Sequence, residues 1–145
     1  MSLLKGLMVE TKTAWIDYPG LRDFQVEVAH LSRAESIKLR KKSTISKFDR
    51  KTREPKEELD EDKFIREFTK LTIKNWKGLK IKDLETLIPV DLSGQDPEAD
   101  VPFNLEDAEM LIVNSTDFDK WINEQVYDLE NFRSEPEGTP MGEAN

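Results

Sequence analysis

The chain changes its hydrophobic period between its two ends, and this change limits the folds that it can adopt. Near the N-terminus, Phe24, Val26 and Val28 alternate with polar residues, as in a strand with one buried face. Near the C-terminus, apolar residues recur at helical spacing, at Phe118, Trp121, Ile122, Val126 and Leu129. The sequence therefore predicts an α+β fold, with one or more N-terminal antiparallel β-hairpins packed with about four α-helices and a helical C-terminal half.

The first half of the chain carries clear local signals for a hairpin and a helix. We expect strands over residues 7–16 and 21–31, joined by a turn at Pro19-Gly20, because proline fixes φ and glycine tolerates a positive φ. Ser32 with Glu35 three residues later forms a capping-box pattern, which predicts a helix continuing to about residue 42.

Residues 43–58 fit two alternatives. Residues 44–48 have the composition of a short strand, whereas residues 49–58 are almost all charged and include Pro55, which blocks a helix. A short exposed hairpin and a mobile loop both satisfy this pattern, and we favour the hairpin.

The remainder is predicted to be mainly helical. A helix over residues 60–77 has acidic residues at its start and Gly78 at its end. Residues 79–87 fit a short strand or a turn of helix, and residues 89–102 are rich in turn formers. Helices are expected from Asn104, with Asp107 at the third helical position, and from about Thr116. We expect one domain over residues 1–132 and a disordered tail over residues 133–145, which contain two prolines, two glycines and no periodicity.

Charge is strongly segregated along the chain. The net charge is −8 in total. The basic helix and loop at 33–58 contain a stretch, 33–56, with ten basic and three acidic side chains, whereas residues 83–145 carry seventeen acidic side chains and only Lys120 and Arg133 as bases. The acidic helical half, 83–132, can attract the basic segment of another copy head to tail, and the two can equally serve as solvated surfaces of one monomer.

Residues that support catalysis or metal binding are scarce. The chain has no cysteine, and His30 is its single histidine, so thiol chemistry and the usual zinc sites are excluded. The acidic stretch 91–100 departs from the calcium-loop pattern at its glycine, at Pro97 and at the closing position. We therefore expect no enzyme activity, no metal and no cofactor.

Location and membrane association follow from the same reading. The N-terminal residues lack the pattern of a signal peptide, and no window approaches the ~20 apolar residues of a membrane span. We expect a cytoplasmic protein that does not enter membranes.

The basic segment and nearby aromatic residues are the candidates for partner binding. The predicted residues are Arg40, Lys41, Lys42, Phe48, Arg50, Trp15 and Tyr18. For the aromatic residues, packing inside the fold is the alternative reading. We do not expect nucleic acid to be the main partner, because only Phe48 interleaves with the bases and the acidic half would repel a polyanion.

Several short motifs follow one another in a characteristic order over residues 24–132. A basic helix end at Arg40-Lys41-Lys42 precedes Trp76-Lys77-Gly78-Leu79, which is followed by Pro102-Phe103-Asn104 and by a closing helix with Phe118 and Trp121. This order resembles tail assembly chaperones of long-tailed (siphovirus-like) bacteriophages. The motifs consist of packing and turn residues rather than catalytic ones.

The resemblance implies a function that composition does not. Such chaperones bind the tape-measure protein and keep it soluble, recruit tail-tube protein through a longer frameshifted form, self-associate, and act in viral tail morphogenesis. It implies a homo-oligomer in the host cytoplasm that is absent from the mature virion. A structural tail-completion or adaptor protein of the virion is the alternative, and a nucleic-acid-binding regulator is a further one.

Overall fold

The computed structural model describes residues 2–9 and 12–133 of the chain. The α-helices are α1 (Leu3–Leu7), α2 (Arg33–Lys42), α3 (Glu61–Thr72), α4 (Leu84–Leu87), α5 (Leu105–Asn114) and α6 (Thr116–Tyr127). The strands are β1 (Thr13–Asp17), β2 (Gln25–Ala29), β3 (Thr44–Asp49), β4 (Glu54–Leu59) and β5 (Ile73–Lys77). Short 3-10 turns lie at Ile81–Asp83 and Leu129–Phe132. The predicted α+β class is confirmed, with the strands in the N-terminal half and the helices dominating the C-terminal half.

The N-terminal hairpin forms as predicted, but its strands are shorter than expected. β1 and β2 pair antiparallel, with Thr13 opposite Ala29 and Asp17 opposite Gln25. Gly20 has a φ of 90°, and the Leu21 N–H donates to the Tyr18 carbonyl at 3.4 Å, as a Pro-Gly turn requires. The predicted first strand, 7–16, is wrong at its start because Leu7 ends helix α1.

The core lies between the inner face of β2 and helix α6. Val26 and Val28 on β2 and Phe118 and Ile122 on α6 are fully buried. The ring centroids of Phe24 and Phe118 are 6.4 Å apart, so the residue immediately before β2 packs directly on α6. The period-two and helical apolar faces recognised in the sequence therefore pack against each other.

The predicted helix 60–77 is wrong in its last five residues. Helix α3 ends at Thr72, and β5 (Ile73–Lys77) pairs antiparallel with β2 to give the sheet order β1-β2-β5. Ile73 and Trp76 are three residues apart, a helical spacing, but the pairing shifts register between Glu27 and Val28. This bulge turns both side chains toward the core, where both are buried. The apparent helical stripe is therefore a bulged strand.

The segment between α2 and α3 is the exposed hairpin that we favoured over a loop. β3 and β4 pair from Thr44–Leu59 to Asp49–Glu54 and form a separate two-stranded sheet. Ser32 caps α2 through the predicted capping box with Glu35. We refer to residues 44–59 as the basic ribbon.

The C-terminal helices follow the sequence signals, with one exception. The Asn104 side chain accepts from the Asp107 N–H at 2.8 Å, and Ser115 caps α6 by accepting from the Phe118 N–H at 3.2 Å. Leu129, expected on the buried stripe, lies in the 3-10 turn after α6 and is exposed. Residues 79–87 form a 3-10 turn and one turn of helix. Of the predicted disordered tail, residues 134–145 lie outside the described residues.

Candidate partner-binding surface

The basic ribbon projects from a single point on the fold. The Asp60 N–H donates to the Ser43 carbonyl at 2.7 Å, so the chain leaves and rejoins the core at adjacent residues. Within β3 and β4 no residue is buried. Because so few of its side chains contact the core, the ribbon is formed mainly by its own backbone pairing and is available to a partner.

The tip of the ribbon concentrates positive charge. Arg50, Lys51 and Arg53 lie in the turn between β3 and β4. The Asp49 carboxylate accepts from the Lys51 N–H at 2.8 Å, and Arg53 has a φ of 59°. This left-handed conformation is uncommon for a residue other than glycine, asparagine or aspartate. The turn thus keeps a basic side chain at a position where glycine would be less strained.

A shallow groove runs between α2 and the base of the ribbon. It consists of two adjoining depressions of about 270 Å³ and 310 Å³ that share Lys41 and Thr44. Its apolar floor includes Ile37, which is 47% exposed, and Ile45. Arg40 and Lys41 line the same groove from α2, and Glu57 lines it from the ribbon. An apolar floor beside cationic side chains suits a partner that presents both apolar and acidic groups.

Internal contacts hold the neighbouring cations of α2. The Arg40 guanidinium lies 5.8 Å from the centroid of the Phe64 ring. The Lys42 ammonium donates to the Glu67 carboxylate at 2.9 Å, and this hydrogen bond lowers the pKa of Glu67. Arg40 and Lys42 therefore both contact α3, and Arg40 also borders the groove together with Lys41.

The structure brings together four of the seven residues predicted to bind partners. Arg40 and Lys41 line the groove, and Phe48 and Arg50 lie toward the far end of the ribbon, where Phe48 is 66% exposed and pairs across the strands with Pro55. Phe48 lies four residue steps along the extended strand from Thr44, a span of about 13 Å. The groove and the tip therefore lie about 13 Å apart along the ribbon.

Trp15 and Tyr18 lie apart from this surface. Trp15 is on the outer face of the three-stranded sheet, where the Lys77 ammonium sits 4.5 Å from its ring centroid. Tyr18 is only 7% exposed and packs on Trp121 with the ring centroids 4.8 Å apart. In this conformation Tyr18 serves packing and cannot contact a partner.

Ile37 and Ile45 were not recognised as surface residues in the sequence. Ile37 lies within the helix predicted to continue to about residue 42, and Leu39 is the buried member of that helix. The sequence signal for the exposure of Ile37 is the number of basic residues on α2, because a helix with so many charged side chains has little apolar surface to cover a core. Ile45 shares its face of β3 with Lys47 and Asp49, which also predicts exposure.

The acidic loop 91–100 uses its carboxylates within the chain. Lys80 donates to Asp100 at 2.7 Å and Lys82 donates to Glu98 at 2.8 Å. The hydrogen bond with Asp100 raises the pKa of Lys80, and the one with Glu98 raises the pKa of Lys82. In residues 2–9 and 12–133 there is no group of three or more histidine or carboxylate side chains placed to hold a metal ion.

His30 packs against the final turn of the described chain. Its ring and that of Phe132 meet edge to face with centroids 5.3 Å apart, and its backbone N–H donates to the Lys12 carbonyl at 2.9 Å. This histidine thus joins the end of β2 to the C-terminal 3-10 turn.

Comparisons with protein-family models, with curated proteins and with solved structures find nothing that matches this chain. Across the described part of the chain, none of the helices is long and apolar enough to cross a membrane.

Proposed function

We propose that this protein is a non-catalytic tail assembly chaperone of a long-tailed bacteriophage, which binds the tape-measure protein and keeps it soluble in the host cytoplasm. The proposal includes recruitment of tail-tube protein through a longer form of the chain. It combines the order of sequence motifs over residues 24–132 with the surface formed by α2 and the basic ribbon.

The observation that carries the proposal is the groove between α2 and the ribbon. Ile37 and Ile45 provide apolar contact area there, and Arg40 and Lys41 provide positive charge. An amphipathic helix with an apolar stripe and acidic flanks is complementary to such a groove. A long helical protein that must be kept from aggregating presents surfaces of this kind along its length.

The ribbon extends this surface beyond the groove. Phe48 exposes two thirds of its area, 66%, near a tip that carries Arg50, Lys51 and Arg53. Exposed aromatic and arginine side chains contribute strongly to protein interfaces. The tip can therefore provide a second contact region for the partner, about 13 Å along the ribbon from Thr44.

Co-expression with a fragment of the tape-measure protein tests the proposal. We expect the fragment to stay in the soluble extract and to co-elute with this chain. The double variant R40E/K41E reverses charge along the groove and should release the fragment to the insoluble fraction. K120E, an exposed charge reversal on α6, is the matched control and should behave as wild type.

Two results would contradict the proposal. If the fragment is insoluble with the wild-type chain, the chaperone function fails. If R40E/K41E protects the fragment as well as K120E does, the groove is not the binding surface. Mass spectrometry of purified particles adds a separate check, because a chaperone should be missing and a tail-completion or adaptor protein should be present.

The composition of the ribbon tip favours one second candidate, the binding of nucleic acid. Basic side chains beside an exposed aromatic ring can contact phosphates and stack on a base. The measurement is an electrophoretic mobility shift with single-stranded and double-stranded DNA at several salt concentrations. A complex that weakens steeply with salt and is lost on changing Phe48 to alanine would favour this candidate over the chaperone.

A further inference from the structure

The first residues of the chain form an apolar segment that the fold does not cover. Helix α1 contains no buried residue. The large apolar side chains of α1 and of the two residues after it are between 65% and 79% exposed. They are Leu3, Leu4, Leu7, Met8 and Val9. Ser2 caps the helix by accepting from the Lys5 N–H at 3.1 Å. Five exposed large apolar side chains within the seven residues 3–9 are characteristic of a binding element rather than of scattered surface apolar residues.

A second feature, an apolar pocket, lies between α4, α5 and the loop that precedes α5. Its volume is about 150 Å³. Its apolar lining consists of Trp76, Leu79, Leu84, Ile88, Val101 and Met110, among others. The Trp76 indole N–H donates to the Val101 carbonyl at 2.8 Å, and Trp76 meets Phe103 edge to face with centroids 5.1 Å apart. These contacts hold the pocket wall in place.

The size of the pocket matches one side chain of the N-terminal segment. An apolar cavity of about this volume accommodates a six-carbon ring. A leucine or methionine side chain has four heavy atoms beyond the backbone and therefore fits. The pocket is too small for a folded helix, so an inserted side chain rather than a whole helix is the fitting occupant.

The charges beside the pocket favour the same occupant. Asp107 lines the pocket, and Glu106 and Glu109 lie on the same helix, α5. Residues 2–9 contain Lys5 and no acidic residue. Lys5 would be repelled by the basic groove on α2, whereas within about a Debye length of α5, ~8–10 Å, it is attracted. Charge thus selects the pocket rather than the groove as the site for this segment.

We propose that the N-terminal segment of one copy docks in the apolar pocket of a second copy, with Leu4 or a neighbouring apolar side chain inserted and Lys5 facing the carboxylates of α5. Within a single chain, residues 3–9 stay exposed and none of them lines the pocket. Reciprocal exchange of the segments between two copies closes a two-fold symmetric dimer. This inference does not depend on the proposed chaperone function.

The absence of cysteine from the chain allows a direct test by cross-linking. Full-length chains carrying L4C are mixed with differently tagged chains carrying M110C and oxidised gently. We expect a disulfide-linked heterodimer, in an amount several times that formed when L4C is mixed with L129C. Met110 and Leu129 are both exposed, so neither cysteine should disturb folding, and Leu129 lies outside the pocket.

A second measurement covers the case in which a cysteine variant alters the pocket. Light scattering of the wild-type chain should give the mass of a dimer, and L4D/L7D should reduce it to that of a monomer. L4D/L7D changes only exposed side chains, so its far-ultraviolet circular dichroism should match wild type.

Three outcomes would overturn the proposal. One is equal cross-linking of L4C with M110C and with L129C. Another is a cross-link that forms only within one chain when L4C and M110C are combined in the same molecule. The third is a monomeric wild-type chain that sediments with vesicles of phosphatidylcholine and phosphatidylglycerol, since the segment would then bind a lipid surface.

Discussion

Replacing Gly78 by alanine should destabilise the fold far more than the same change at Gly94. Both glycines have nearly the same positive backbone angle, with φ of 77° at Gly78 and 78° at Gly94. A Cβ at Gly94 would meet no atom within 4 Å. A Cβ at Gly78 would overlap the Asp23 carbonyl oxygen and lie 2.6 Å from its carbon. The pair therefore separates backbone strain from steric overlap.

The magnitudes follow from these two effects. Alanine in the left-handed region costs about 1–2 kcal/mol, partly offset by about 0.4–1 kcal/mol from the smaller conformational entropy of the unfolded chain. We therefore expect G94A to lose about 1 kcal/mol. G78A adds the displacement of the Asp23 peptide from the turn that leads into β2, and overpacking of this kind costs about 1–3 kcal/mol. The total for G78A should be about 3 kcal/mol.

Equilibrium unfolding in urea, followed by tryptophan fluorescence, measures both variants. G78A should lower the midpoint with an unchanged slope, because the surface exposed on unfolding stays the same. A difference between the two variants below about 0.5 kcal/mol, within the usual error of such comparisons, would refute the steric argument. The result also bears on Trp76-Lys77-Gly78-Leu79, since a large loss at Gly78 explains that motif by packing.

Three further predictions concern single side chains. Ser43 is fully buried and its hydroxyl has no hydrogen-bond partner in the described part of the chain, so S43A should be neutral or stabilising by up to about 1 kcal/mol. T72V is the contrast, because it removes a hydroxyl that donates to the Phe68 carbonyl at 2.7 Å. We expect T72V to lose about 1 kcal/mol in the same urea assay. Burial, and secondarily the Asp117 carboxylate, raises the pKa of the Tyr18 phenol above its ordinary value of 10.0. The stability that the protonated phenol contributes is complete below that value and is lost as the pH rises through the folded pKa. Urea midpoints at stepped pH should therefore show that the wild type loses stability in this alkaline range and that Y18F loses less. R53G should stabilise the ribbon tip, by about 1 kcal/mol at most, because Arg53 has a φ of 59°. Slower amide hydrogen exchange in β3 and β4 would show this stabilisation, and unchanged exchange would contradict the prediction.

Local signals in the sequence identified the helix starts correctly. Ser32 and Asn104 cap their helices through contacts only three residues away, so the sequence near each cap holds all the information needed. The alternation at Val26 and Val28 likewise predicted the strand that forms the centre of the sheet. Short-range hydrogen bonds and periodicity are thus readable without a structure.

Features that depend on distant partners were not predictable in this way. The bulge in the pairing of β2 with β5 allows Ile73 and Trp76, at helical spacing, to share the buried face of a strand. Only the position of β2, far away in the sequence, distinguishes this strand from a continuation of α3. The groove had the same difficulty, because it combines residues of α2 with residues of the ribbon that leaves the core beside it.

The hydrogen bond between the Asp60 N–H and the Ser43 carbonyl has a consequence for how this molecule tolerates change. The two residues that flank the sixteen-residue ribbon are 2.7 Å apart at those atoms, so a short linker could replace the ribbon without moving α2 or α3. Insertions and deletions at such a junction leave the core contacts intact, and loop-closure entropy changes only slowly with length. Variation in the length and tip of the ribbon can therefore accumulate between related proteins while the core is kept, and a chain without the ribbon should fold.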